Sequence, residues 1–456
     1  MKKIKTGLFE RSLAMARLSL RSGALAAKQL LNSDKEEYLI QQMKLLSEEL
    51  GELKGSLMKV GQTISMYGEH FLPPKANEYL KNLQSDSPKL AWDEIKTFLD
   101  LEIGPEKLAY LDIDHEAIAA ASLGQVHKAV DRRTKKIYAI KIQYPGVEKA
   151  IRSDLRALKS IFSIAQIIPS SPRTDQFFDE IETMLVQETN YDLERVWTQQ
   201  IFKKLKDDSR FVVPEVFEEF SSRHVLTTSF EFGDKVDSKE VLSLSQDRRN
   251  NLALNFLDLY YKELFEFKLV QTDPHLGNYR IRINQSNLKS DLKSGTSLDY
   301  KSGGTTDQIV LFDFGAMREV PDHFGVPFRT LIRAAANKDR ETIFDCAYKM
   351  KYLFEDDPED LKDIYFRLCC LVGEPFAENP ENSFTDKDGN YDWRNTDLPK
   401  RVAILGSEII KNHKIRVPPR ESIFLDRKLG GAFIFASVIG LNGKSRSGLM
   451  KYFDQK

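Results

Sequence analysis

Between residues 113 and 232 this chain reads mostly as strands, and beyond Gly233 it reads almost entirely as helix. The stretch "KKIYAIKIQYP", ending at Pro145, alternates polar and apolar residues with the period of a half-buried strand. A basic helical segment follows and ends at the breaker "PSSPRTD", 169–175. One long helix is expected over 175–206, and the strand-like runs "FVVPEVFEEF" and "RHVLTTSFEFG" complete the β-rich part.

Strands first and helices second, joined near Phe230–Gly233, outline an α+β architecture: a bilobal, protein-kinase-like fold. Upstream, Met43, Leu46, Leu50, Leu53 and Leu57 recur at steps of three and four, the spacing of one helix face. The expected organisation is a basic amphipathic segment over 1–34, a helical extension over 35–112, an N-lobe with an inserted helix over 113–232, and a C-lobe over 233–456. The run 284–308, rich in Ser, Gly, Thr and charge, reads as a surface excursion from the C-lobe.

With 67 basic and 68 acidic residues the formal net charge is −1, which argues against nucleic acid as a partner. Cys346, Cys369 and Cys370 have neither metal-ligand spacing nor the density of a disulfide scaffold, and read as small buried hydrophobes. The longest uncharged apolar run, "GGAFIFASVIGL", falls well short of the roughly 20 residues that span a bilayer. The first 31 residues carry Lys and Arg repeatedly and one acid, Glu10. Three readings fit them: a helix on an acidic membrane surface, an organelle transit peptide, or a helix packed on the body.

The stretch "AIAAASLGQVHKAV" at 117–130 has the register A-x-A-x-x-G-x-V, the spacing of a glycine-rich nucleotide loop with its first two glycines replaced. Ala119, Ala120, Ala121, Ser122, Gly124 and Val126 are thus candidates for a phosphate-covering loop. Lys141, on the next strand, is placed to reach the α- and β-phosphates of ATP. "VQTDPHLGNYRI" carries D-x-x-x-x-N: Asp273 to accept a hydroxyl or water proton, Asn278 to ligate Mg2+. "IVLFDFGAMRE" brings a strand into Asp313-Phe314-Gly315, whose carboxylate suits the same metal. Backbone groups around Glu231 and Phe232, where the two lobes join, are candidates for an adenine edge.

Such a lysine needs a carboxylate to hold it. No acid occurs between Asp154 and Asp175, so the partner is expected on the helix beyond. On one continuous helix Ile181, Leu185 and Glu188 share a face, which nominates Glu188 as the partner of Lys141. Glu194 lies well around that helix, near a second stripe of Leu193, Trp197 and Ile201.

With these pieces in place the chain resembles the UbiB family of atypical kinase-like proteins, from about residue 50 to the C-terminus. The resemblance rests on "KVGQ" at 59–62, "AAASLGQVHKA", "AIK", "QETNYDLE", "QTDPHLGN" and "FDFGAMRE". It implies that Lys59, Gly61 and Gln62 belong to a regulatory helical extension over the nucleotide site, with Glu194 grouped with it. It also implies an acidic E-x-D-type motif, read here as Glu188-Thr189-Asn190, with asparagine in place of the second acid. The implied activity is that of an ATP- and Mg2+-dependent atypical kinase or ATPase supporting isoprenoid quinone synthesis. The implied partners are a lipid or quinone-precursor ligand, an acidic membrane surface and other proteins of that biosynthesis. The location implied is cytoplasmic and peripheral to an inner membrane, on the matrix side in a mitochondrion.

Two physical expectations accompany this. Alanines at 119 and 121, if held in the left-handed region their glycine counterparts use, would each cost about 1–2 kcal/mol and stiffen the loop. Against a conventional Ser/Thr protein kinase stand that loop, Gln271-Thr272 before Asp273, and the absence of A-P-E after "FDFGAMRE". A small-molecule phosphotransferase and a nucleotide-binding pseudokinase scaffold are the other readings.

Overall fold

The computed structural model describes residues 59, 60, 63, 64, 89–121, 123–164, 172–284, 306–378, 382–412 and 420–453. They divide into two compact units. The first holds the described residues up to Val196 together with Glu215–Phe230, and the second holds Trp197–Pro214 and the described residues from Glu231 onward. The mixture of sheet and helix is the α+β class expected from the sequence.

In the first unit, helix α1 (Trp92–Glu102) precedes strands β1 (Leu111–Ile113), β2 (Ala119–Ala121), β3 (Gly124–Asp131) and β4 (Ile137–Gln143). Helices α2 (Val147–Ile164), α3 (Pro172–Glu188) and α4 (Tyr191–Leu205) follow. Strand β5 (Phe211–Val212) comes next and belongs to the second unit, and β6 (Val225–Ser229) returns to the first. The sheet of the first unit runs β1-β3-β4-β6, all antiparallel, with β2 folded back on β3. Alternation along β4 puts Tyr138, Ile140 and Ile142 into a core shared with Ile95 and Leu99 of α1. Lys141 therefore points from the opposite face.

The single helix expected over 175–206 is two. α3 ends at Glu188, where Thr189 N–H returns to Val186 O (3.1 Å) and Thr189 Oγ1 donates to the same carbonyl (2.7 Å). Asn190 then caps α4, its Oδ1 accepting from Asp192 N–H (3.2 Å). A threonine bonded to its own preceding turn, followed by a capping asparagine, stops one helix and starts another. The chain passes into the second unit within α4, after Val196, so Trp197–Pro214 does not belong with the strands of 113–232. Ile201, Leu205, Phe211 and Val213 pack into the core of the second unit.

In that second unit β7 (Asp234–Lys235), helix α5 (Gln246–Tyr261), a π-helical turn (Lys262–Phe267), β8 (Leu269–Gln271), β9 (Tyr279–Arg282), β10 (Gln308–Leu311) and β11 (Met317–Glu319) follow in order. These strands form two small sheets, β5-β10-β9-β7 and β8-β11, and a third, two-stranded sheet pairs Tyr391–Asp392 with Asn442–Gly443. The 284–308 excursion lies almost wholly outside the described residues; its ends are tied by Gln308 pairing with Arg282 in the β9–β10 ladder. Helices α6 (Asp322–Ala336), α7 (Arg340–Lys349), α8 (Glu359–Gly373), α9 (Leu398–Asn412), α10 (Arg420–Ile439) and α11 (Arg446–Phe453) complete it. Core aromatics tie α5 to α10: Phe256 and Phe435 stack with ring centroids 3.9 Å apart. Cys346 and Cys369 are buried in this core, as expected, and Cys370 lies at its margin.

Candidate active site

The alanine loop is a β-hairpin, with Ala119 opposite Val126, Ala120 opposite Gln125 and Ala121 opposite Gly124. Its alanines are extended strand residues, and neither is among the positive-φ residues. The strain expected of them is absent, because antiparallel pairing with β3 supplies a conformation that any L-residue adopts. Ser122, at the tip, lies outside the described residues. Gly124 is needed for a different reason: a Cβ there would collide with the Ile142 carbonyl oxygen on β4.

The hairpin is anchored by the "QVH" that follows. Gln125 Oε1 accepts from Leu90 N–H (2.8 Å), and its Nε2 meets His127 Nε2 (2.8 Å). His127 Nδ1 meets Asp114 O (2.7 Å). These contacts fit a neutral imidazole that donates at Nδ1 and accepts at Nε2. Burial lowers the His127 pKa below its ordinary value, with the Asp114 carbonyl partly opposing the shift.

Lys141 Nζ lies 2.7 and 2.9 Å from the two carboxylate oxygens of Glu194, and over the Tyr191 ring at 5.0 Å. Glu188 is engaged elsewhere, its carboxylate 2.8 Å from Lys59 Nζ. The assignments made from sequence are therefore exchanged: Glu194 holds the strand lysine, and Glu188 meets the K-x-G-Q extension. Helical phase carried through Thr189-Asn190 gave the wrong face, since the second helix starts afresh there. Lys59 and Val60 are helical, as are Thr63 and Ile64, with Val60 and Ile64 fully buried. Gly61 and Gln62 lie outside the described residues.

In the second unit, β8 delivers Asp273 into a hydrogen-bonded frame. Asn278 Nδ2 donates to Asp273 O (2.9 Å) and Oδ2 (3.2 Å). Gln271 Nε2 donates to Asp273 O (2.6 Å), and Thr272 N–H and Oγ1 both donate to Ala316 O (2.9 and 2.8 Å). Phe312 N–H donates to Asn278 O (2.9 Å), so the D-x-x-x-x-N loop is tied on both sides to the D-F-G segment. Asp313 has φ 54°, a left-handed conformation that costs a residue with a Cβ about 1–2 kcal/mol. Gly315 N–H donates to its Oδ1 (3.1 Å), and Phe314 is buried in the core. Backbone strain held in place by surrounding bonds is a mark of functional positions.

Glu231 Oε2 accepts from Arg282 Nη2 (2.5 Å), whose Nε approaches Phe232 O at 3.4 Å. The segment proposed for an adenine edge is thus pinned to β9.

Three residues that act on this loop escaped the sequence reading. Arg427 Nη2 lies 2.7 Å from Asp273 Oδ1. Lys428 Nζ lies 2.8 Å from Glu263 Oε2, a fully buried pair, and that same oxygen accepts from Gln271 N–H (3.1 Å). Gly431 takes Pro274 so closely that a Cβ would overlap its ring. The available signal was "DRKLGGAF": two adjacent cations at the head of an apolar helical run have to find partners inside.

The ABC1 atypical kinase-like domain matches residues 82–347, more than half of the chain. Atypical kinase COQ8B, mitochondrial, of Danio rerio is 29% identical over 91% of this chain and 60% of its own length. Atypical kinase COQ8, mitochondrial, of Saccharomyces cerevisiae is 28% identical over 87% of this chain and 73% of its own. The solved structure of Rv3197 from Mycobacterium tuberculosis, described as a complex with erythromycin, has TM-score 0.59 at 21% identity. It covers 93% of this chain and all of that one, and the likeness is one of fold. Among the described residues no helix is long and apolar enough to cross a membrane.

Proposed function

Because the chain belongs to the ABC1 atypical kinase-like family, we propose that it is an atypical kinase or ATPase that uses Mg-ATP in support of isoprenoid quinone synthesis. The observation that carries this reading is the Asp273–Asn278 frame, whose Asn278 O accepts from Phe312 N–H, the residue next to a left-handed Asp313.

The residues fit a magnesium ion. Asn278 spends its Nδ2 on Asp273, which leaves the carbonyl end of its amide for another partner. One amide oxygen and one carboxylate, with phosphate oxygens and water completing the shell, is a donor set that Mg2+ accepts. Asn278 and Asp313 would hold it, and when bound it would neutralise charge on the β- and γ-phosphates. Asp273 takes the proton of the attacking O–H as the acceptor oxygen bonds to the γ-phosphorus. The bond from that phosphorus to the β-phosphate oxygen breaks, and ADP departs with the electron pair. Lys141, oriented by Glu194, would contact the α- and β-phosphates. With water as acceptor the product is phosphate; with a small hydroxyl compound it is a phosphoester.

The lipid side of this reading draws on the names of the mitochondrial COQ8 relatives and on the basic N-terminal segment. We place the acceptor or bound ligand among quinone precursors and the protein at an acidic membrane surface. Phosphate release from Mg-ATP is the test, measured with and without acidic liposomes and quinone-precursor mimics, beside Asp313→Asn. Release by the wild-type protein that is lost in the variant is expected; equal release by both would refute the assignment. Removal of residues 1–33 is expected to abolish liposome binding, and binding that survives it would reject the membrane role of that segment.

A further inference from the structure

We propose that Arg427 is a positioning residue for this reaction, holding the Asp273 carboxylate toward the acceptor from a helix outside the catalytic loop. The inference rests on the reading of Asp273 as proton acceptor. Both oxygens of that carboxylate are engaged, Oδ1 by Arg427 Nη2 (2.7 Å) and Oδ2 by Asn278 Nδ2 (3.2 Å). Two donors on two oxygens restrain the rotation of a carboxylate about its Cβ–Cγ bond. Asn278 is the donor that comes from the loop itself. Its sequence "DPHLGN" offers no Lys or Arg, and its one basic side chain, His275, uses Nδ1 to accept from Gly277 N–H (3.0 Å). The cation comes instead from α10.

The seating of α10 is built for this contact. Arg427 and Gly431 are four apart and so share a helix face, and the first meets Asp273 while the second receives Pro274. Lys428, one step round, is held in the core by Glu263, which also takes the Gln271 N–H two residues before Asp273. Helix and loop are therefore registered at three successive points. Asp273 and Arg427 both remain about one-fifth exposed, so the pair faces solvent that a substrate can replace.

Phosphate release from Mg-ATP, nucleotide affinity and melting temperature are to be measured on wild type, Arg427→Gln, Arg427→Lys, Asp273→Asn and the Asp273→Asn/Arg427→Gln double variant. Arg427→Gln is expected to lower kcat at least tenfold with nucleotide Kd changed less than about twofold. Arg427→Lys should recover part of that loss, and added guanidinium at low millimolar concentration should partly rescue Arg427→Gln. In the Asp273→Asn background the second substitution should add almost nothing, because the carboxylate it positions is gone. Unchanged or increased turnover in Arg427→Gln overturns the proposal, as does full additivity in the double variant. Should Arg427→Gln fold poorly, Arg427→Lys decides: wild-type kcat there shows that the Arg427 guanidinium is not needed and overturns the proposal. Absence of turnover in the wild-type protein overturns the reading itself and this inference with it.

Discussion

Lys141 and Glu194 meet through two hydrogen bonds of 2.7 and 2.9 Å, while Glu188, on the helix before, is taken by Lys59. Two acids close in sequence thus serve two different lysines. Glu194→Gln should lower kcat/KM for ATP by about tenfold or more, since it removes the carboxylate charge that Lys141 Nζ reaches through both of these hydrogen bonds. Glu188→Gln should change it less than about threefold. Steady-state phosphate release measures both, and the reverse order of effects would return Lys141 to Glu188.

Asp313 separates stability from activity. Glycine carries no penalty at φ 54°, so Asp313→Gly should unfold later than wild type by up to about 1 kcal/mol while losing Mg-dependent turnover. Asp313→Ala, which keeps a Cβ and loses the carboxylate, should gain no such stability. Denaturant unfolding without nucleotide compares the three; a glycine variant no more stable than the alanine variant, which loses the same carboxylate, would mean that the backbone there is not strained.

Within the hairpin the glycine matters more than the alanines. Gly124→Ala drives a methyl into the Ile142 carbonyl and should destabilise the first unit by about 2 kcal/mol or more. Ala119→Gly or Ala121→Gly should cost only about 0.5–1 kcal/mol, the price of glycine in a strand. Thermal melts distinguish these. Nucleotide titrations of the alanine variants show in addition whether flexibility here alters ATP affinity, the effect expected of this loop.

His127 makes stability fall with acid. Its pKa is lowered in the folded protein, so as pH drops below about 6.5 the unfolded chain binds a proton that the folded chain refuses. Stability therefore declines from that pH downward until the folded-state value is passed. Asp208, whose carboxyl Arg210 holds well below the usual range, also loses its contribution with acid, but only once pH falls below the ordinary carboxylate range of about 4. His127→Gln should flatten the loss between pH 6.5 and 5 in a series of denaturant melts, and an unchanged slope would show that the imidazole is not what titrates.

Much of this was legible in the sequence because strand alternation and short motifs are local. The alternation of β4 put Lys141 opposite Tyr138, Ile140 and Ile142, and short motifs nominated Asp273, Asn278 and Asp313, the first two of which share one hydrogen-bonded frame. What failed did so where local rules meet. The partner of Lys141 was read by carrying helical phase through Thr189-Asn190, although a bonded threonine and a capping asparagine are themselves a stop and start. The alanines were judged as residues in a glycine conformation, when strand pairing gives them their own. Arg427 was out of reach, because nothing within its segment says which acid, over a hundred residues earlier in the chain, will lie beside it.

The registration of α10 against the catalytic loop also sets an order of events during synthesis. Asp273 leaves the ribosome long before Arg427, Lys428 and Gly431, so a growing chain carries an unfinished loop until α10 emerges. A product terminated before residue 420 would strip Asp273 and Glu263 of both cations at once, and premature termination would then leave a fragment that is inert from the outset.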